Sequence, residues 1–89
     1  MIKMFEEFAF GANKMYRIAY TVTNNGTKTK RQYYYQQANN RDDAEQSIKK
    51  AFDKEVGDPN IKLHVEWVME VPNNAHSRIK LSDQKFILE

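Results

Sequence analysis

The feature that most constrains this chain is an Asn-Gly pair between two runs of strand-forming residues. Residues 16–23 alternate between apolar or aromatic and polar side chains, as expected for a strand with one buried face. Asn25-Gly26 follows, and a two-residue type I′ turn favours this pair because both turn residues need positive φ. Residues 28–37 can then form the returning strand. The sequence therefore predicts a β-hairpin.

A two-residue turn at Asn25-Gly26 also predicts the register, in which the numbers of facing residues sum to 51. One face of the hairpin is then apolar and aromatic, pairing Tyr16 with Tyr35, Ile18 with Tyr33 and Val22 with Thr29. The other face is basic and polar, pairing Arg17 with Tyr34, Ala19 with Gln32, Thr21 with Lys30 and Thr23 with Lys28. In this register Tyr34 is the tyrosine that clearly points outward.

A helix and a long strand are predicted after the hairpin. Residues 41–56 are helical in pattern, with Asn40 as the N-cap, Gly57 at the C-terminal end and Pro59 preventing continuation. The apolar stripe of this helix consists of Ala44, Ile48, Ala51, Phe52 and Val56, and Glu45 and Lys49 have the spacing of an ion pair. Residues 61–71 alternate as a strand, with these side chains predicted inward: Ile61, Leu63, Val65, Trp67, Met69 and Val71.

The β-β-α-β order predicts an α+β fold with an antiparallel sheet. A right-handed crossover through the helix places the last strand beside the first, so the strand order is 2-1-3. We expect the helix to cover the face that bears Ile18, Tyr33, Val65 and Trp67, and the opposite face to stay open. With 89 residues, one domain is expected, in which short N- and C-terminal elements, 1–13 and 72–89, flank a core of 14–71. Leu88-Glu89 matches the residue pair that commonly joins an insert to a purification tag.

The sequence offers little for catalysis, and we expect a protein that is not an enzyme and uses no metal or cofactor. It has no cysteine, and His64 and His76 lie twelve residues apart without a carboxylate or a second histidine at helical spacing. Glu66 and Glu70 are separated by four strand residues, about 13 Å, too far for a retaining carboxylate pair. There is no apolar run long enough for a membrane span, so a cytoplasmic protein is expected.

Charge and tyrosine are distributed unevenly along the chain. Residues 14–41 contain six basic side chains, no acid and all five tyrosines. Cations neutralise phosphates and aromatic rings stack on unpaired bases, so this window predicts binding to RNA or other single-stranded nucleic acid. The candidate contact residues are Arg17, Lys28, Lys30, Arg31 and Tyr34. The alternative for the same window is a solvated face whose basic strand discourages aggregation.

A second candidate site is the N-terminal apolar segment. Ile2, Met4, Phe5, Phe8 and Phe10 place five apolar side chains within ten residues. They either cover an open end of the core or form an interface for a host protein or a second copy of this chain, through Ile2, Phe5 and Phe8.

The run Arg31-Gln32-Tyr33-Tyr34-Tyr35 differs from the ribonucleoprotein motif of RNA-recognition domains, and the opening β-α unit of those domains is absent. In its size, lack of cysteine and richness in Asn, Lys and Tyr, the chain resembles small accessory proteins of AT-rich tailed phages. This resemblance implies stoichiometric binding and inhibition of host defence or regulatory factors, including toxin–antitoxin systems and nucleases.

Overall fold

The hairpin predicted around Asn25-Gly26 forms the centre of the fold. In the computed structural model, which describes residues 14–72, 81 and 84–89, strand β1 (Lys14–Asn24) enters a turn with positive φ at Asn25 (51°) and Gly26 (89°). These angles are those of the expected type I′ turn. The return strand forms in two pieces, β2 (Thr27–Lys28) and β3 (Gln32–Ala38).

The helix and the last strand complete the predicted topology. Helix α1 spans Arg41–Val56 and strand β4 spans Ile61–Glu70. Strands β2 and β3 pair with one edge of β1, and β4 pairs antiparallel with the other edge. Counting β2 and β3 as one interrupted return strand, the order is the predicted 2-1-3, and the α+β class is confirmed.

The ends of α1 are set by the residues that the sequence indicated. The Asn40 side chain accepts a hydrogen bond of 2.9 Å from the Asp43 backbone N–H, which satisfies one of the free donors of the first turn. Gly57 adopts the left-handed conformation, with φ 61°, and ends the helix. The predicted Glu45–Lys49 ion pair also forms, with Nζ 3.1 Å from the carboxylate.

The predicted register holds beside the turn but is wrong beyond it. Thr23 faces Lys28, and the Thr29 N–H donates to the Val22 carbonyl, both as expected. After Thr29 the return strand contains one extra residue, so the numbers of facing residues sum to 52: Tyr16 faces Gln36, Arg17 faces Tyr35, Ile18 faces Tyr34, Ala19 faces Tyr33 and Tyr20 faces Gln32. Such a bulge shifts every later side chain to the opposite face. Tyr33 and Tyr34 have therefore exchanged their predicted faces.

A second irregularity changes β4 in the same way. Val65 faces Tyr20 and Trp67 faces Ala19, which leaves Glu66 as an extra residue between them. Ile61, Leu63 and Val65 therefore pack on the helix side as predicted, whereas Val68 replaces Trp67 there and is 8% exposed. The prediction that Trp67 lies beside Ile48 and Phe52 is wrong.

The core lies between β1 and α1 and is closed by the end of the chain. Phe86 stacks on Tyr34, with ring centroids 4.5 Å apart, and makes edge contacts with Tyr20 and Phe52. The Gln84 side-chain amide bonds to both the N–H and the carbonyl of Tyr35 and so pairs with the outer edge of β3. The buried core residues include Tyr16, Ile18, Tyr20, Val22, Ala38, Ala44, Ile48, Phe52, Val68 and Phe86.

Candidate nucleic-acid interface

The face of the sheet opposite α1, called here the open face, carries aromatic and basic side chains from all four strands. Its residues follow from the register, because side chains directly opposite on paired strands share a face. They are Met15, Arg17, Ala19, Thr21 and Thr23 from β1, Lys28 from β2, Tyr33, Tyr35 and Gln37 from β3, and Lys62, His64, Glu66, Trp67 and Met69 from β4. Successive rows across the sheet are about 6.8 Å apart.

The middle of the open face is aromatic. Tyr33 and Trp67 lie on either side of Ala19, on strands that are both neighbours of β1. Across an intervening strand their backbones are about 10 Å apart, yet their ring centroids are only 5.9 Å apart. The small side chain of Ala19, which is fully buried, lets the two rings lean toward each other above it. Tyr33 remains 48% exposed, so the pair presents ring surface to solvent.

Arg17 extends this aromatic surface by one row. Its guanidinium carbon lies 5.3 Å from the ring centroid of Tyr33 and 5.6 Å from that of Tyr35, within the range of cation–π contacts. Its Nε also donates to the Tyr35 hydroxyl at 3.1 Å. Met69 faces Arg17 from β4 and is 48% exposed. Because Arg17 is held between two rings, its charge is fixed beside the aromatic pair.

The turn end of the open face is basic. Lys28 and Lys62 both face Thr23, from opposite sides of β1, so two basic residues lie in one row across the sheet. The Thr23 hydroxyl is hydrogen-bonded to His64 Nε2 at 2.9 Å. Within the described part of the chain, neither Lys28 nor Lys62 has a carboxylate within ion-pair distance. As far as residues 14–72, 81 and 84–89 show, these cations are available to an anionic partner.

An ion pair separates the basic end from the aromatic middle. The guanidinium of Arg31, the residue before β3, binds the Glu66 carboxylate of β4, so the pair spans β1. This hydrogen bond, together with the Glu66 charge and the Tyr33 hydroxyl, raises the pKa of Arg31. Because Ala19 faces Tyr33 and Tyr20 faces Gln32, the next position along places Arg31 beside Thr21. Thr21 is 4% exposed, and its hydroxyl has no hydrogen-bond partner among the described residues.

The structure brings together some of the site residues predicted from sequence and separates another. Arg17 and Lys28 lie on the open face, Arg31 reaches it through Glu66, and Lys30 is exposed in the bulge between β2 and β3. Tyr34, predicted to point outward, points to the helix side and stacks on Phe86, and burial together with the nearby Glu55 charge raises its pKa. The expectation that its ring is available on the basic face is wrong, because the bulge reverses it. The segment with Ile2, Phe5 and Phe8, and also His76, lie outside the described residues.

Sequence reasoning placed Tyr33, Tyr35 and Trp67 on the helix side and so missed them as residues of the open face. The period-two pattern of each strand predicts the correct face only up to the bulge, and these three residues lie beyond it. At the first bulge the Val22 N–H donates to the Thr29 side-chain oxygen at 3.0 Å in place of a backbone carbonyl. The one sequence signal for this bulge is therefore a threonine, whose hydroxyl can replace a backbone acceptor. Lys62 and His64 were predicted outward, but their proximity to Lys28 needed the register of β4.

The described residues contain no group of three or more His, Asp or Glu side chains that could hold a metal ion. In the described part of the chain, no helix is long and apolar enough to cross a membrane. Comparison of the chain with protein-family models, curated proteins and solved structures finds no match in any of the three.

Proposed function

We propose that this chain is a non-enzymatic binding protein whose open face holds single-stranded nucleic acid, RNA in particular. The observation that carries the proposal is the Tyr33–Trp67 ring pair on the sheet face opposite α1, in which Tyr33 is 48% exposed and Trp67 is partly exposed. The same face carries Lys28 and Lys62, which have no ion-pair partner among the described residues. Aromatic rings on a sheet are suited to unpaired bases, because every base offers a flat surface to stack on.

Charge on the same face supports this proposal. Glu66 is the only acid that the register and contacts place on the described open face, and it is already bound to Arg31. The cations Lys28 and Lys62 lie on that face, and Lys30 is exposed beside it. Lysine ammonium groups attract the phosphates of any sequence, while stacking orients the bases. The arrangement therefore fits binding with little sequence preference.

The phage resemblance suggests the setting for such binding. An accessory protein that blocks a host defence or toxin system can do so by occupying an RNA component or a nucleic-acid substrate of that system. We propose this as the cellular role that the composition and the open face together favour.

Trp67 allows a direct test because it is the single tryptophan in the chain. Single-stranded RNA should quench its fluorescence as a base stacks, and the affinity should fall with salt. With three to five phosphates contacted, the logarithm of affinity should change with the logarithm of salt at a slope of roughly −2 to −4.

The matched variants separate local contacts from net charge. Lys28→Glu with Lys30→Glu should weaken binding and reduce the salt slope, since phosphate contacts are lost. Lys50→Glu with Lys54→Glu makes the same change of charge on exposed positions of α1, on the other side of the sheet, and should have a much smaller effect. Equal losses in the two double variants, or unquenched fluorescence with saturating RNA, would contradict the proposal.

A protein partner is the second candidate for the same face. Met69 is 48% exposed next to Arg17 and Trp67, and Tyr, Trp, Arg and Met are enriched at the centres of protein interfaces. A partner that binds through these residues would be weakened by Trp67→Ala and left largely unchanged by 0.5 M salt, a concentration that should dissociate RNA.

A further inference from the structure

The buried hydroxyl of Thr21 is the most unexpected polar group in the described structure. Thr21 is 4% exposed, and Oγ1 makes no hydrogen bond among the described residues. A buried hydroxyl without a hydrogen-bond partner destabilises the folded state, so a fold rarely keeps one without compensation. The side chain belongs to the open face, where it lies between the aromatic row of Ala19 and the basic row of Thr23.

Residues whose side chains bind anions occupy positions next to Thr21 on its own strand and on both neighbouring strands. His64 faces Thr21 directly from β4 and is hydrogen-bonded to Thr23, the next residue on the same face. Lys28 and Lys62 flank Thr23, and Arg31 lies beside Thr21 on the return strand. Hydroxyl, imidazole, ammonium and guanidinium groups together are the donors that proteins use for phosphate oxygens.

Glu66 occupies this constellation in the free protein. Its carboxylate is the partner of Arg31, and the side chains of Arg31 and Glu66 are 54% and 27% exposed. Ion pairs at the surface contribute little to stability, so this one can open at small cost. The two non-bridging oxygens of a strand phosphate can accept a bidentate pair of hydrogen bonds from arginine, as the two oxygens of a carboxylate do.

We infer that Thr21, Thr23, Lys28, Arg31, Lys62 and His64 form a seat for a phosphate group, in which the Glu66 carboxylate is a replaceable internal competitor. The inference rests on the proposed function, and it identifies which part of the open face takes a strand phosphate. On binding, Arg31 exchanges Glu66 for the phosphate, and the movement of these two side chains uncovers the Thr21 hydroxyl. A phosphate held here places the attached nucleoside beside Tyr33 and Trp67, about 7–14 Å along the sheet.

Replacing Glu66 tests the internal competitor. Glu66→Gln should tighten binding of a short single-stranded oligonucleotide by about three- to tenfold, because Arg31 is released for phosphate. Glu70→Gln is the matched control, since it makes the same charge change on the same strand. Glu70 faces Tyr16, on the helix side, and pairs with Lys14 at 4.0 Å. The control should change affinity by less than about twofold. Equal tightening in the two variants would overturn the competitor role of Glu66.

Replacing Thr21 tests the hydroxyl independently. Thr21→Val keeps the shape and removes the unpaired oxygen, so the thermal midpoint should hold or rise. Affinity for the oligonucleotide should nevertheless fall severalfold if the hydroxyl binds phosphate. A Thr21→Val protein with raised stability and wild-type affinity would show that the hydroxyl has no part in the seat.

Nuclear magnetic resonance separates the failure of this inference from that of the proposed function. Inorganic phosphate, added at constant ionic strength, should shift the amide signals of Thr21, Thr23 and His64. In Glu66→Gln the same shifts should occur at a lower phosphate concentration. If phosphate shifts these amide signals but no oligonucleotide binds, the phosphate seat is supported and the nucleic-acid function is rejected. Oligonucleotide binding that leaves these three signals unmoved would reject the seat and keep the function.

Discussion

The two faces of the sheet use the same kinds of residue for different purposes. On the helix side, Tyr20 and Tyr34 pack against Phe52 and Phe86, and Tyr20 is 1% exposed. On the open face, Tyr33 is 48% exposed and lies next to the Arg17 guanidinium. Aromatic residues therefore close the core on one face and remain accessible on the other. Residue type alone does not distinguish these roles, since Tyr33 and Tyr34 are neighbours in sequence.

The position of the bulges explains how one face came to hold the exposed rings. Along β1, Tyr16, Ile18, Tyr20 and Val22 all point to the helix, as predicted. Both flanking strands shift by one residue at the level of Tyr20: the return strand between the partners of Val22 and Tyr20, and β4 between the partners of Tyr20 and Ala19. The central strand thus keeps its alternation while its neighbours change theirs. The paired shifts bring Tyr33 and Trp67 onto the same face.

The largest expected effect compares one aromatic side chain from each face. Phe52→Ala should cost about 3–5 kcal/mol of unfolding free energy, because Phe52 is 3% exposed and packs against Phe86. Trp67→Ala should cost only about 1–2 kcal/mol, since Trp67 is partly exposed and its ring contacts Tyr33 on the open face and not the core. Urea unfolding followed by circular dichroism measures both. Similar costs for the two variants would break the distinction between a packed face and an accessible one.

A smaller effect is expected from the two neighbouring tyrosines. Tyr34→Ala should lower the unfolding free energy by about 2–3 kcal/mol, because the ring is stacked on Phe86. Tyr33→Ala should change stability less and instead weaken single-stranded RNA binding by about 1–3 kcal/mol. The measurements are urea unfolding and fluorescence titration on both variants. The opposite result, with Tyr34→Ala stable and defective in binding, would favour the register without a bulge.

Most of the fold could be predicted because its signals are local. The Asn25-Gly26 turn, the Asn40 cap and the Gly57 helix end each depend on residues close in sequence, and all three are confirmed. The strand order followed from the chirality of the crossover connection. The register beyond Thr29 could not be predicted in this way, because a bulge depends on the packing of strands distant in sequence.

The candidate site was predicted only in part for the same reason. The basic character of residues 28–31 is visible in the sequence, and Lys28 lies on the open face as expected. The partnership of Arg31 with Glu66 connects residues 35 positions apart and depends on the extra residue in β4. The convergence of Lys28 and Lys62 on Thr23 likewise needs the pairing of three strands. Composition therefore indicated the kind of site, whereas its geometry required the tertiary structure.

The smallest expected effect concerns the phenols on the helix side at high pH. Burial raises the pKa of Tyr20 above 10.0, and the charges of Tyr34 and Glu55 add to this, although the Ile87 N–H that donates to the Tyr20 hydroxyl acts in the opposite direction. Burial also raises the pKa of Tyr34. In the unfolded chain both phenols ionise near pH 10, before they do so in the folded protein. As the pH rises above about 10, the unfolded state loses these protons first, so the unfolding free energy should fall.

The contribution of these two phenols should be complete below about pH 10 and lost as the pH passes their raised folded values. Urea midpoints measured between about pH 9 and pH 11 should therefore decrease more steeply in the wild-type protein than in Tyr20→Phe with Tyr34→Phe. The two proteins differ only at these two hydroxyls, so the difference between the two slopes isolates the phenols. Parallel slopes would mean that Tyr20 and Tyr34 are as accessible to hydroxide as in the unfolded chain. That result would contradict the burial of Tyr20 on the helix side, and with it the contrast between a closed helix side and an accessible open face.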